Sequence, residues 1–225
     1  MKTDTAHLAW DQRWATPERH NEWATPEPDV RAVAERLAQE APDGARPRVL
    51  DLGCGIGRHA LLFARLGFHT AATDLAEAGL GELRRIADAE GLSIEAHVAP
   101  MTKLPFPDGC FDHVLSFNVI YHGDGQVVRA AIAEIRRVLR PGGTYQGTML
   151  SKRNAGYGLG TAVAPDTYVR EEDMAEHDAD KVHPHFYCNA RDLIGLFEGF
   201  ELLRLEDQRH EKPGSWHWHM LAERL

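Results

Sequence analysis

The sequence predicts an α/β fold: a doubly wound, mostly parallel sheet with an antiparallel last strand and helices on both faces. Three observations carry this reading. Short apolar runs alternate with amphipathic helical stretches from residue 48 to residue 150. Glycine closes the helical stretches, at Gly67, at Gly91 and in Pro141-Gly142-Gly143. The last two apolar runs are joined by about ten polar residues, too few for a helical crossover, so they read as an antiparallel pair.

The elements follow in order. Residues 1–28 are aromatic and irregular, with Trp10, Trp14 and Trp23 among Pro17, Pro26 and Pro28. Val30, Val33, Ala34 and Leu37 recur at helical spacing before a break between Pro42 and Pro47. Strands are expected at 48–52, 69–73, 93–99, 111–117 and 144–150, and helices at 58–66, 76–90 and 127–139. Residues 151–188 are polar and rich in Gly, His and acidic side chains, without sustained periodicity, and are expected to form a long functional loop. A helix near 190–197 and strands near 200–205 and 216–222 close the chain. The 225 residues are expected to form one domain, with 1–28 and 151–188 covering the active site.

Composition narrows the function. The apolar fraction of 43% suffices for a sizeable core, and no window approaches the roughly 18 to 20 apolar residues of a membrane helix. Cys54, Cys110 and Cys188 are odd in number and unrelated in spacing, which suits a reducing compartment better than a disulfide framework. The N-terminus, MKTDTAHLAW, has no apolar stretch of the secretory kind, so a cytoplasmic location is expected. A net charge of −9 without a dense basic stripe argues against nucleic acid as partner, and no membrane partner is expected.

The stretch Val49-Leu50-Asp51-Leu52-Gly53-Cys54-Gly55-Ile56-Gly57-Arg58 follows a strand and opens a helix, the context a nucleotide loop requires. Its glycines allow a tight turn and close approach of the backbone to a ligand. A dinucleotide loop wants Gly or Ala where Arg58 stands. Asp51, just before the glycines, would repel a pyrophosphate but attract a cation. S-adenosylmethionine (SAM) carries an ammonium and a sulfonium and no phosphate. Asp74 ends the second strand, where a carboxylate faces the ligand crevice and can accept hydrogen bonds from ribose hydroxyls.

VLDLGCGIGRHA, TAATDL, LPFPDGCFDHVLS and IRRVLRPGG, in that order, closely resemble the class I SAM-dependent methyltransferases. The resemblance implies a seven-stranded sheet with an antiparallel seventh strand. It also implies SAM over Gly53, Gly55 and Gly57, with Asp74 on the ribose and Leu75 beside it. Many relatives place an acidic residue near the adenine amino group; here Ala99-Pro100-Met101-Thr102-Lys103-Leu104 has none, so Met101 and Thr102 and the backbone are expected to hold the base.

Methyl transfer needs an acceptor held in line with the methyl group and, for some acceptors, a base. Asn118, Tyr121 and His122 follow the fourth strand and should reach the crevice, Asn118 toward the cofactor and Tyr121 and His122 toward the chemistry. Histidine ordinarily titrates near neutral pH, which makes His122 the candidate base. Trp14, Tyr157 and His185 are candidate acceptor contacts. The 13 histidines include His177, His183 and His185, and a pair, His217 and His219, on one face of the last strand. No metal site is expected, because nothing in the sequence brings three ligands together. The last strand is expected to bury Trp216 and Trp218 and expose the His217–His219 face. The expected function is methyl transfer from SAM to a small-molecule acceptor. A protein or RNA methyltransferase and a non-catalytic SAM-binding protein remain open beside it.

Overall fold

The structure, a computed structural model, describes residues 3–42, 44–170 and 179–225. It begins with helix α1 (His7–Trp14), where the sequence predicts only irregular chain, and short 3-10 turns at Pro17–Arg19 and Asn21–Trp23. Helix α2 (Pro28–Glu40) opens on a proline at its first turn, where the missing N–H is no loss. Strand β1 (Arg48–Leu52), helix α3 (Arg58–Arg65), strand β2 (His69–Asp74), helix α4 (Glu77–Glu90), strand β3 (Ile94–Val98) and strand β4 (Phe111–Ser116) fall within two residues of expectation. Helix α5 (Gly125–Val138) starts earlier than expected because Asp124 accepts hydrogen bonds from the Gln126 and Val127 N–H groups. Strand β5 runs over Leu139–Ser151.

The sheet order is β3-β2-β1-β4-β5, all parallel. Strand β10 (Trp216–Arg224) pairs antiparallel with β5, and β9 (Phe200–Arg209) pairs antiparallel with β10 on its other side. Together these are the expected seven strands with an antiparallel last strand. Alternating side chains of the buried strands feed two faces. Leu50 and Val114 pack with α5 and with helix α6 (Ala190–Leu196), whereas Val49 and Leu115 pack with α2 and α3. Ala72 meets α3 and α4.

The segment 151–188 departs from its expectation. Its described residues form β6 (Thr161–Ala164), β7 (Thr167–Val169), a 3-10 turn at Ala179–Val182 and β8 (His185–Cys188). Strand β8 joins the end of β5 in parallel through Leu150 and Ser151, and β7 and β6 extend it antiparallel. Backbone pairing with the main sheet therefore holds β8 where composition suggested a loop.

The last strand also corrects its expectation. His217 and His219 are both 6% exposed, while Trp216 and Trp218 are only half-buried. The histidine face turns toward α2, where Asp29 accepts a hydrogen bond from His219 Nδ1 at 2.8 Å. Trp218 instead spends its indole N–H on the Cys188 carbonyl, 3.0 Å away.

Candidate active site

The carboxyl ends of β1, β2 and β4 and the N-terminal segment enclose one cavity of about 970 Å³, its open mouth included. The floor is the glycine loop, Gly53 to Ile56. Gly53 has φ +70°, and a Cβ there would lie 2.4 Å from Val119 Cγ1, so only glycine lets the loop pass under the end of β4. The loop amides are held in place: Gly53 and Cys54 both donate to the Thr73 carbonyl, at 2.7 and 3.0 Å.

Asp74 stands on the wall beside the loop. Its Oδ2 accepts from Gly55 N–H and its Oδ1 from Ala76 N–H, each at 2.8 Å. Burial pushes its pKa up, against the pull of those two hydrogen bonds. A carboxylate offers about four lone-pair directions, so Asp74 keeps acceptor capacity for a ligand. Leu75, Met101 and Thr102 line the same wall.

Asp51 lies elsewhere. It is 2% exposed, does not line the cavity, and accepts the Ala60 N–H in the first turn of α3 at 2.9 Å. Burial raises its carboxyl pKa to about 7. Gly57 is needed for packing, because a Cβ there would lie 2.3 Å from Leu83 Cδ1 on α4.

The N-terminal segment forms the roof. Trp10, Trp14 and Trp23 all line the cavity. Trp10 stacks on Trp14 at 5.3 Å and meets Trp23 edge-on at 5.3 Å. The ring of Trp14 lies against Gly55, where a Cβ would come within 3.0 Å of it. Asp11 Oδ1 accepts the Ala78 N–H at the start of α4, which fastens α1 over the loop. The buried indole N–H of Trp10 has no hydrogen-bond partner among the described residues.

At the far wall Asn118 follows β4 with φ +60°, an uncommon value for a residue with a side chain. Thr148 stabilises it on both sides, accepting from Asn118 N–H at 2.8 Å and donating to Asn118 Oδ1 at 3.0 Å. Four residues on, His122 reaches the cavity with its Nε2 buried and without a hydrogen-bond partner among the described residues. Behind it stands Asp180, whose Oδ2 is 3.6 Å from that nitrogen. Burial opposes ionisation of Asp180, yet Lys181, His122 and His185 around it hold its carboxyl well below the usual range.

A family model described as a methyltransferase domain matches residues 49–143. The chain is 32% identical over 221 residues to 27-O-demethylrifamycin SV methyltransferase of Amycolatopsis mediterranei, covering 84% of this chain and 78% of that protein. The chain belongs to the SAM-dependent methyltransferase family. It is also 37% identical over 111 residues to demethylmenaquinone methyltransferase of Thermus thermophilus, which covers 48% of this chain and 49% of that relative. Of two further curated relatives it spans 38% and 22% of the length. A solved structure of Burkholderia thailandensis 1,6-didemethyltoxoflavin-N1-methyltransferase shares the fold, with a TM-score of 0.69 at 21% identity over 97% of this chain and 88% of that one.

The cavity fits the methyl donor for which this family is named, SAM: a glycine floor, a carboxylate wall and an aromatic roof. Of the residues the sequence nominated, Gly53, Gly55, Asp74, Leu75, Met101, Thr102, Asn118, His122 and Trp14 share this cavity. Tyr121 is 4% exposed and packs between His122 and His217 outside the cavity lining. Tyr157 donates to Asp166 at 2.9 Å and packs on Tyr168 and Tyr187, away from the cavity. His185 backs His122, ring to ring at 4.8 Å, rather than facing an acceptor. The histidines therefore do converge, against expectation, but as His122 and His185 around Asp180. His177 lies outside the described residues. Sequence reasoning missed Asp180 because it sits in an acidic tract where no spacing sets it apart.

Proposed function

We propose that this methyltransferase acts on a small-molecule acceptor bound between the tryptophan roof and His122. One observation carries the reading: a single cavity, roofed by α1, holds the glycine loop and Asp74 at one end and His122 at the other. Aromatic side chains line the cavity, and relatives in the family are named for demethylrifamycin SV and demethylmenaquinone, both small molecules. When bound, SAM supplies an electrophilic methyl on a sulfonium centre. The glycine loop cradles the donor, Asp74 and Leu75 hold the ribose end, and Met101 and Thr102 pack on the base. Asn118 fixes the donor side of the crevice. The three tryptophans exclude water and press a flat or apolar acceptor toward the methyl. Gly57 and Asp51 support the loop from below.

His122 is the acceptor-side base in this reading. Its imidazole takes the proton of a hydroxyl, amide or similar weak acid as the heteroatom closes on the methyl. Asp180 then steadies the imidazolium at 3.6 Å. Tyr121 and His185 position the His122 ring. Single-turnover methyl transfer against an acceptor panel tests the proposal. With a weakly acidic acceptor, His122→Ala should lower the chemical rate by roughly 10²–10⁴-fold and leave SAM affinity nearly intact. A mutant within a few-fold of wild type on every active acceptor removes His122 as base.

A further inference from the structure

His122, Asp180 and His185 place three ligand atoms within 4.8 Å of one another at the back of the cavity. The spacing resembles the edge of a coordination polyhedron. Metal–ligand bonds of about 2.0–2.1 Å set neighbouring ligand atoms about 3.3 Å apart in a tetrahedron and about 3.0 Å apart in an octahedron. Asp180 Oδ2 is 3.6 Å from His122 Nε2 and 3.0 Å from His185 Nε2.

The hydrogen bonding of His185 is the second observation. Its Nδ1 lies 2.8 Å from the His183 carbonyl, and its Nε2 lies 3.0 Å from the Asp180 carboxylate. Both partners are acceptors. A neutral imidazole has one N–H and satisfies only one of them. The ring is 1% exposed, a poor place for an imidazolium. With the proton on Nδ1 for the carbonyl, the usual outer-shell partner of a metal-bound histidine, Nε2 presents a lone pair to the carboxylate. A cation between them resolves the conflict. His122 Nε2, buried and without a hydrogen-bond partner among the described residues, lies 3.6 Å from the same carboxylate oxygen.

We propose that His122, Asp180 and His185 bind a divalent transition-metal ion whose open coordination position faces the cavity. The ligand set, two histidines and one carboxylate, suits zinc, iron or cobalt. The inference rests on the cavity being the acceptor site and changes the part His122 plays there. With the ion bound, His122 is a ligand, and the ion draws the acceptor heteroatom to the wall and lowers its pKa. Lys181 is the internal competitor, its ammonium 3.1 Å from Asp180 Oδ2.

Cobalt(II) titration of tag-free, chelator-treated protein tests the site without any acceptor. One equivalent per chain should bind and give the visible ligand-field bands of a low-coordinate N/O site. Asp180→Asn and His185→Gln should each weaken binding by more than the roughly 10–100-fold typical of losing an outer-shell partner, with SAM affinity as the folding control. Lys181→Gln keeps all three ligand residues, removes the ammonium that competes for Asp180 Oδ2 and should tighten binding several-fold. If the ligand variants do not fold, Lys181→Gln decides: unchanged or weaker cobalt binding overturns the site. Absence of visible bands in wild type, or equal binding in both ligand variants, overturns it too and leaves His122 as base. Cobalt bound with no methyl transfer to any acceptor would instead sink the small-molecule reading.

Discussion

Asp51 and Asp74 end neighbouring strands, and burial gives them different roles. Asp74 faces the cavity with acceptor capacity to spare, so it is the group whose loss a bound ribose would feel. Asp74→Ala should weaken SAM by roughly 5- to 150-fold, the equivalent of about 1–3 kcal/mol for stranded hydroxyls. Calorimetry on the folded variant reads this directly, and unchanged affinity would remove the ribose contact. Asp51 instead serves α3. In the unfolded chain it titrates near 3.8, and in the folded protein burial moves this to about 7. Between those values the native state keeps a proton that the unfolded state has shed. Stability from this group therefore falls as pH rises from about 4 to about 7, by about 4 kcal/mol at most. Asp51→Asn keeps an acceptor for the Ala60 N–H without the charge and should lose that component of the pH slope. Urea unfolding at a series of pH values would show the difference; parallel slopes for the two proteins would contradict it.

At the scale of elements, α1 and β8 were the least legible. The hydrophobic pattern of α1 is weak because its tryptophans pack on one another and on a loop, not on a sheet face. Trp14 is 6% exposed and fills the space above Gly55. Trp14→Ala should cost about 3–5 kcal/mol of stability and open the glycine loop to solvent. A melting shift of less than a degree would mean that α1 is only loosely seated. Strand β8 escaped notice because HFYC is short and follows a polar tract. Its amides are nonetheless committed, Phe186 to the Tyr121 carbonyl and Tyr187 to the Asp166 carbonyl, each at 2.9 Å. Hydrogen exchange at these two amides should be slow even without ligand, and rapid exchange at both would return the segment to a loop.

Across the whole molecule, buried neutral histidines set the acid limit. Burial lowers His113 to about 3, His217 to about 2 and His210 to about 4, the last two also through neighbouring histidines. All three are neutral in the fold and take up protons on unfolding below about 6.5. The unfolded state binds more protons there, so stability drops as pH falls from about 6.5 toward 4, opposite in sign to Asp51 and larger. His113 and His217 together contribute up to about 2.7 kcal/mol per pH unit at their steepest. The melting temperature should therefore fall sharply between pH 6.5 and about 4.5. His113→Gln, which can still pair with Thr144, should blunt the fall; an unchanged acid profile would show that His113 already carries its proton in the fold.

The sequence by itself determined the βα alternation, the glycine loop after β1, the acidic ends of β1 and β2, and the antiparallel final pair. These are local or periodic signals, written within a turn or a strand, and they do not depend on what packs against them. Tertiary structure alone decided that the His217–His219 face of β10 is buried along with Met220 and Ala222 on its other face, because the seat between β5 and β9, with Asp29 of α2 opposite His219, covers both. It alone set Asp51 under α3 and Asp74 on the cavity wall, since two carboxylates at strand ends look alike until a helix covers one. It alone brought Asp180 to His122, by pairing β8 with the end of β5: an acidic residue in an acidic tract carries no mark of the distant histidine it will face.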